Sequence, residues 1–150
     1  RIAARSAKLG SATLRFGLLP DEGGQWLLVR LLGAARAMDF MMRRRIVSAA
    51  NALDLGLVTE VVDDDALMQA AMNLAIELAT GPQIAMRMLK RSIYLATELT
   101  WEQALDEIAS KTAITDHHPD AQEGGRAFLE KRSPVFNQWR DELEKNTEKH

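Results

Sequence analysis

Two adjacent carboxylates, Asp21 and Glu22, stand in the run Phe16-Gly17-Leu18-Leu19-Pro20-Asp21-Glu22-Gly23-Gly24. An apolar setting such as Phe16, Leu18 and Leu19 draws a carboxylate towards its neutral form. The N-terminus of a following helix draws it towards its charged form. That compromise suits a general base acting on a carbon acid. Gly23 and Gly24 carry no Cβ and allow close approach of backbone or ligand, while Pro20 fixes the path into the turn. The same two acids also fit a plainer role, capping free N–H groups and complementing the dipole of a first helical turn.

Other chemistry-bearing residues are sparse. His117-His118 has no third ligand at suitable spacing, so it reads as a pre-helix loop and no metal site is expected. Arg43-Arg44-Arg45 is basic but has no interleaved aromatic. With a formal net charge of −2 it reads as a solvated helix end, and no nucleic-acid partner is expected. The absence of cysteine excludes disulfides, a thiolate nucleophile and Cys-based metal sites, and fits a reducing cytoplasm. No apolar run approaches the roughly 18 residues of a membrane span, and the first residues have no signal-peptide core. No membrane partner is expected. The chain opens on a strand-like segment without Met, as a piece of a longer protein would.

The elements that must position the acids are legible in outline. The 150 residues, 47% hydrophobic and 27% charged, suffice for one modest core. Ile2–Ala4 and Lys8–Leu9 read as strands. A helix runs from about Glu22 to Leu32 and stops at Gly33, and a second runs from Ala34 to about Arg43. Ser48 caps a short helix ending at Leu55-Gly56, and 57–62 reads as a strand. After Val62 the pattern is helical. Asp63-Asp64-Asp65 supplies N-caps, Gly81-Pro82 starts a further helix, and Thr100 with Gln103 forms a capping box. Asp120 with Glu123 reads as a second box, opening a helix that reaches Lys131. Asp141 to His150 is polar and expected to fray. The division is therefore 1–62, mixed α/β, and 63–150, helical.

Taken together, these residues resemble the C-terminal half of the enoyl-CoA hydratase/isomerase family, the crotonase superfamily. The resemblance rests on Arg1-Ile2-Ala3-Ala4, Ala7-Lys8-Leu9-Gly10, Gly17-Leu18-Leu19-Pro20-Asp21-Glu22-Gly23-Gly24, Leu31-Leu32-Gly33 with Ala37-Met38, and Gly56-Leu57-Val58. It closes on Glu123-Gly124 and Ala127-Phe128-Leu129-Glu130-Lys131-Arg132. It implies an α/β fold: the C-terminal part of a ββα spiral over 1–62, carrying the acidic loop, then a helical trimerisation and CoA-contacting region over 63–150.

The resemblance also implies chemistry. Family members stabilise a thioester enolate in an oxyanion hole of two backbone N–H groups. Both donors belong to the part of the fold that precedes Arg1. Two-carboxylate hydratases keep one acid there and a second at the position of Thr13, which cannot act as a base near neutral pH. Asp21 falls where several isomerases place their single acid, so isomerisation is favoured over hydration, with Asp21 as catalytic base. Thr13, Leu14 and Phe16 are expected to line the acyl pocket. Trp26 reads as an apolar helix anchor and Glu22 as a first-turn residue.

Phe128 and Lys131, three apart on a helix face, match the pair that contacts the CoA nucleotide. Glycines at 124 and 125 within that helix suggest close packing. The methionines, Met38, Met41 and Met42 among them, are assigned to core or subunit contacts. No cofactor is expected beyond the CoA thioester substrate, and the complete protein is expected to be a homotrimer or a dimer of trimers. The 150 residues alone are expected to be inactive. The alternatives are a hydratase and a catalytically inactive oligomerisation module.

Overall fold

The computed structural model describes residues 1–21 and 23–139; Glu22, with its first-turn role, and the tail 140–150, with its expected fraying, lie outside the described residues. Contacts divide the chain into two compact units, Arg1–Leu74 and Ala75 onward.

The first unit is mixed α/β. Its strands are β1 (Ile2–Ala4), β2 (Lys8–Gly10), β3 (Ile46–Ser48) and β4 (Glu60–Val62). Its helices are α1 (Gly24–Leu32), α2 (Ala34–Met42) and α3 (Ala49–Asp54). β1 pairs with β4 in parallel, Ala3 opposite Val61. β2 pairs with β3 antiparallel, Leu9 opposite Val47. The second pairing is tight at Gly10, where a Cβ would lie 2.6 Å from the Arg45 carbonyl oxygen. Side chains tie down the ends of the first pairing. The Arg1 Nε donates to the Leu57 carbonyl at 2.6 Å, and the Arg5 Nε reaches Asp63 Oδ1 at 2.8 Å. The Asp64 carboxyl is held below its usual range by hydrogen bonds from the Ser6 side chain and backbone, with Arg5 adding a smaller attraction.

Burial explains why the elements settle here. Ala3, Leu32, Ala37, Phe40, Met41, Val47, Ala49, Ala52, Leu57 and Val58 form one core. Ala37, Ala49 and Ala52 are at most 2% exposed, so small side chains let α2 and α3 each lie close against the core. Ser48 caps α3 as expected, its hydroxyl accepting from Asn51 N at 3.3 Å. Two expectations change. β3 was not foreseen, and Leu57-Val58 is not strand. Both of their N–H groups donate to the Ala52 carbonyl, at 2.8 and 3.3 Å, closing the turn after α3, and their side chains enter the core.

Helix α4 (Leu67–Thr80), preceded by a 3₁₀ turn at Asp64–Ala66, carries the chain from the first unit into the second. The second unit contains α5 (Gln83–Leu95), α6 (Trp101–Asp116) and α7 (Pro119–Glu130). The capping box of α6 is present, with Gln103 N on Thr100 Oγ1 at 3.3 Å and Thr100 N on Gln103 Oε1 at 3.0 Å. The second expected box is not. His118 is the N-cap of α7, its Nδ1 accepting from Asp120 N at 3.2 Å. Asp120 and Glu123 instead hold the segment that follows the helix. Asp120 Oδ1 accepts from Asn137 N at 2.8 Å, and Glu123 Oε1 accepts from Val135 N at 2.9 Å. The Asn137 side chain then bridges to the start of α5, donating to the Gly81 carbonyl at 3.0 Å and accepting from Gln83 N at 3.2 Å.

Candidate active site

Leaving β2, the chain makes a 3₁₀ turn over Thr13–Phe16 that ends at Gly17. Gly17 N donates to the Leu14 carbonyl at 3.2 Å and Leu18 N to the Thr13 carbonyl at 3.3 Å, so the turn closes on itself. Arg15 fastens it to the turn after α2, donating to the Arg44 carbonyl at 3.1 Å. On the far side of Asp21, the Gln25 side-chain amide donates to the Pro20 carbonyl. Asp21 thus sits on a short span between the buried Pro20 and the first turn of α1.

The helix begins later than the sequence pattern suggests. Its N-cap is Gly23 and its first residue Gly24, so Asp21 lies two positions ahead of the cap rather than beside the first turn. Gly23 has φ +79°, a left-handed conformation that L side chains rarely adopt, and this is what requires glycine there. Close approach does not require it at Gly24, where a Cβ would meet Met41 Cε at an ordinary 3.7 Å.

The expected pocket residues lie on one turn but face different surroundings. Leu14 lines an apolar cavity of about 370 Å³ together with Leu19 and Pro20 from the loop, Gln25 and Val29 from α1, and Ala37, Met38, Met41 and Met42 from α2. The Thr13 hydroxyl is buried and has no hydrogen-bond partner among the described residues. Phe16, Leu18 and Leu19 are 77, 60 and 74% exposed, so the apolar wall read beside Asp21 faces outward in this chain, as does Asp21 itself. Trp26 is no buried anchor. It is 48% exposed, and the Arg30 guanidinium stacks 3.4 Å above its ring. A second cavity of about 330 Å³, reached by Leu9, Leu27, Leu28 and Phe40, shares Pro20 and Met41 with the first.

The methionines of α2 were missed as site residues. Met38, Met41 and Met42 are spaced i, i+3, i+4 and so share a helix face. Met41 belongs to the core, whereas Met38 and Met42 are exposed and line the cavity. Their spacing was visible in the sequence, but their opposition to Leu14 and Leu19 depends on tertiary packing.

In the second unit, Phe128 is 84% exposed on the last turn of α7. Lys131 does not share a helix face with it. The helix ends at Glu130, and Lys131 is the C-cap in the left-handed conformation, φ 53°. Close packing among the described residues requires glycine at neither position: a Cβ on Gly124 would meet the Phe136 ring at an ordinary 3.6 Å, and Gly125 has open space within 4 Å. Among the described residues, no group of three potential metal ligands occurs and no helix is long and apolar enough to cross a membrane.

Residues 1–140 match the sequence model of a family described as Enoyl-CoA hydratase/isomerase. The chain is 42% identical over 135 residues to the 1,2-epoxyphenylacetyl-CoA isomerase of Escherichia coli strain K12, covering 90% of this chain and 52% of that protein. It is 33% identical over 141 residues to the carnitinyl-CoA dehydratase of Salmonella typhi, covering 90% and 53%. The crystal structure of an enoyl-CoA hydratase from Bacillus anthracis superposes with a TM-score of 0.86 at 34% identity, covering 91% of this chain and 53% of that one. The chain spans about half the length of the curated relatives it matches.

Proposed function

The chain belongs to the enoyl-CoA hydratase/isomerase family, and from that premise we propose that it carries the proton-transfer half of an enoyl-CoA double-bond isomerase, with Asp21 as the base. The supporting observation is the loop itself. Asp21 follows Leu19 and Pro20, which line an apolar cavity, and the position at which the family resemblance puts a hydratase's second acid is Thr13, which offers only a hydroxyl. Double-bond migration needs one carboxylate. Asp21 takes a proton from C2 of a 3-enoyl thioester, the electron pair moves towards the thioester oxygen, and the resulting acid returns the proton at C4. The double bond then lies between C2 and C3, and Asp21 is again ionised.

In this reading the enolate oxygen is held by backbone N–H donors that the family resemblance assigns upstream of Arg1, so the 150 residues alone turn nothing over. Phe128 and Lys131 contact the CoA nucleotide. The thioester is the substrate and no further cofactor takes part. The complete enzyme works as a homotrimer or dimer of trimers in the cytoplasm.

Asp21→Asn in the native protein that carries this chain tests the assignment. Loss of a general base is expected to lower 3-enoyl-CoA isomerisation by at least about a hundredfold. Activity within about threefold of wild type would remove Asp21 from the mechanism.

A further inference from the structure

Beside the cap of α7 lies a carboxylate oxygen with no donor to answer it. Asp120 is 6% exposed. Its Oδ1 accepts the Asn137 N–H at 2.8 Å, while its Oδ2 is buried with no hydrogen-bond partner among the described residues. An oxygen of a charged group left dry in this way calls for a proton donor. His118 Nδ1 lies 3.5 Å from it. That nitrogen is already engaged, because it accepts the Asp120 N–H at 3.2 Å and so caps the helix. We propose that His118 is a proton-operated switch at the start of α7. Neutral, it caps the helix. Protonated, it releases the Asp120 N–H and turns Nδ1–H onto Asp120 Oδ2, tying the end of α6 to the segment that follows α7.

The two states exclude one another because of the ring's own chemistry. A neutral imidazole has one N–H and one acceptor nitrogen. Since Nδ1 accepts the cap bond, the neutral ring carries its proton on Nε2, and a second proton can go only to Nδ1. The nitrogen that takes it gives up the lone pair that made the cap. One neutral hydrogen bond is lost and one charge-assisted bond to a buried carboxylate, the stronger kind, is gained. Among the described residues, the charged groups sharing a cavity of about 260 Å³ with His118 are Asp116, at the end of α6, and Asp120. α5 contributes only Pro82 and Ala85 there, and the segment after α7 only Phe136, none of them titratable. Trp139 packs edge-on against the imidazole, ring centroids 5.4 Å apart. His117 is exposed, its Nδ1 3.0 Å from the Ala113 carbonyl oxygen. The effect of the proton passes outward through Asp120. Its other oxygen holds Asn137, whose side chain holds the start of α5 at Gly81 and Gln83. Protonation therefore completes one chain of polar contacts from His118 to α5.

The test is an NMR titration of the native protein carrying this chain, between about pH 8 and about pH 5, where histidine changes its charge. That range stays above the window in which Glu123 titrates. The signals followed are the His118 ring and the Asp120 and Asn137 amides. The expected result is that the Asp120 amide proton moves upfield as it loses its acceptor, with the midpoint of the His118 ring, and that the Asn137 amide moves with the same midpoint. His118→Asn, which retains a side-chain cap, should abolish both movements, and His117→Asn should leave both intact. A His118 ring that titrates while the Asp120 amide stays still or moves downfield would overturn the switch. So would amide movements that persist in His118→Asn, or a ring that takes up no proton anywhere in the range. If His118→Asn failed to fold, the wild-type comparison of ring and amides would decide by itself. None of these outcomes depends on Asp21 or on the acyl-CoA reading.

Discussion

Arg132 grips Glu123 with two guanidinium nitrogens, Nη1 2.6 Å from Oε1 and Nη2 3.0 Å from Oε2. Its Nε lies 2.6 Å from Glu130 Oε2. The bidentate contact and the Val135 N–H hold the Glu123 carboxyl down to about 2, and they raise Arg132 above its usual value. This pair turns the chain back at the end of α7 and fastens the segment that carries Phe136 and Asn137.

A depressed carboxyl pKa stabilises the fold above the unfolded value and loses that contribution as pH falls towards the folded one. For Glu123 the window runs from 4.5 down to about 2. Glu123→Gln keeps the shape and removes the charge. Thermal melts should show the largest gap between wild type and variant near neutral pH, narrowing steadily below pH 4.5. A gap that stays constant across that window would assign the effect to packing and not to the ion pair.

Asp120 is 6% exposed and accepts the Asn137 N–H through one oxygen. Removing that acceptor leaves a part-buried donor without a partner, at a cost of roughly 1–3 kcal/mol. Asp120→Ala should destabilise by about that amount in urea unfolding, and Asp120→Asn, which retains a carbonyl acceptor of the same shape, by clearly less. Equal losses would show that the carboxylate charge matters and the hydrogen bond does not.

What the sequence revealed and what it hid divides along physical lines. Local signals held. The Thr100–Gln103 box and the Ser48 cap are hydrogen bonds between residues three apart, and they formed as read. The Asp120–Glu123 pattern has the same spacing, yet both acids are taken by groups 9 to 17 residues away, which local spacing cannot reveal. Strand β3 is three residues long and exists because Val47 pairs with Leu9 across the unit. The acidic loop was legible as residues. Its cavity was not, because Leu14 and Met38 meet only after α1 and α2 have packed.

Water addition to a 2-enoyl thioester calls for a second acid–base group, and such groups contribute typically about 10²–10⁴-fold. With Thr13 supplying only a hydroxyl, hydration of crotonyl-CoA should run at least about a hundredfold slower than 3-enoyl-CoA isomerisation in one preparation of the native protein. Hydration faster than isomerisation would transfer the chemistry to a different acid and make the protein a hydratase.

Lys131 offers a test that separates structure from binding. Its φ of 53° strains an L side chain by roughly 1–2 kcal/mol, which glycine would relieve. Lys131→Gly should therefore raise the melting temperature, whereas Lys131→Ala should leave it near wild type or lower it. If the ammonium contacts the CoA phosphates, both variants should raise KM for acyl-CoA with little change in kcat, the pattern of lost uniform binding. A short acyl-pantetheine, which lacks the nucleotide, should be indifferent to either change. Stability and affinity then move in opposite directions in the glycine variant alone. If KM instead followed stability, improving with glycine and not with alanine, Lys131 would be a strained helix terminus and the nucleotide contact would belong to other residues.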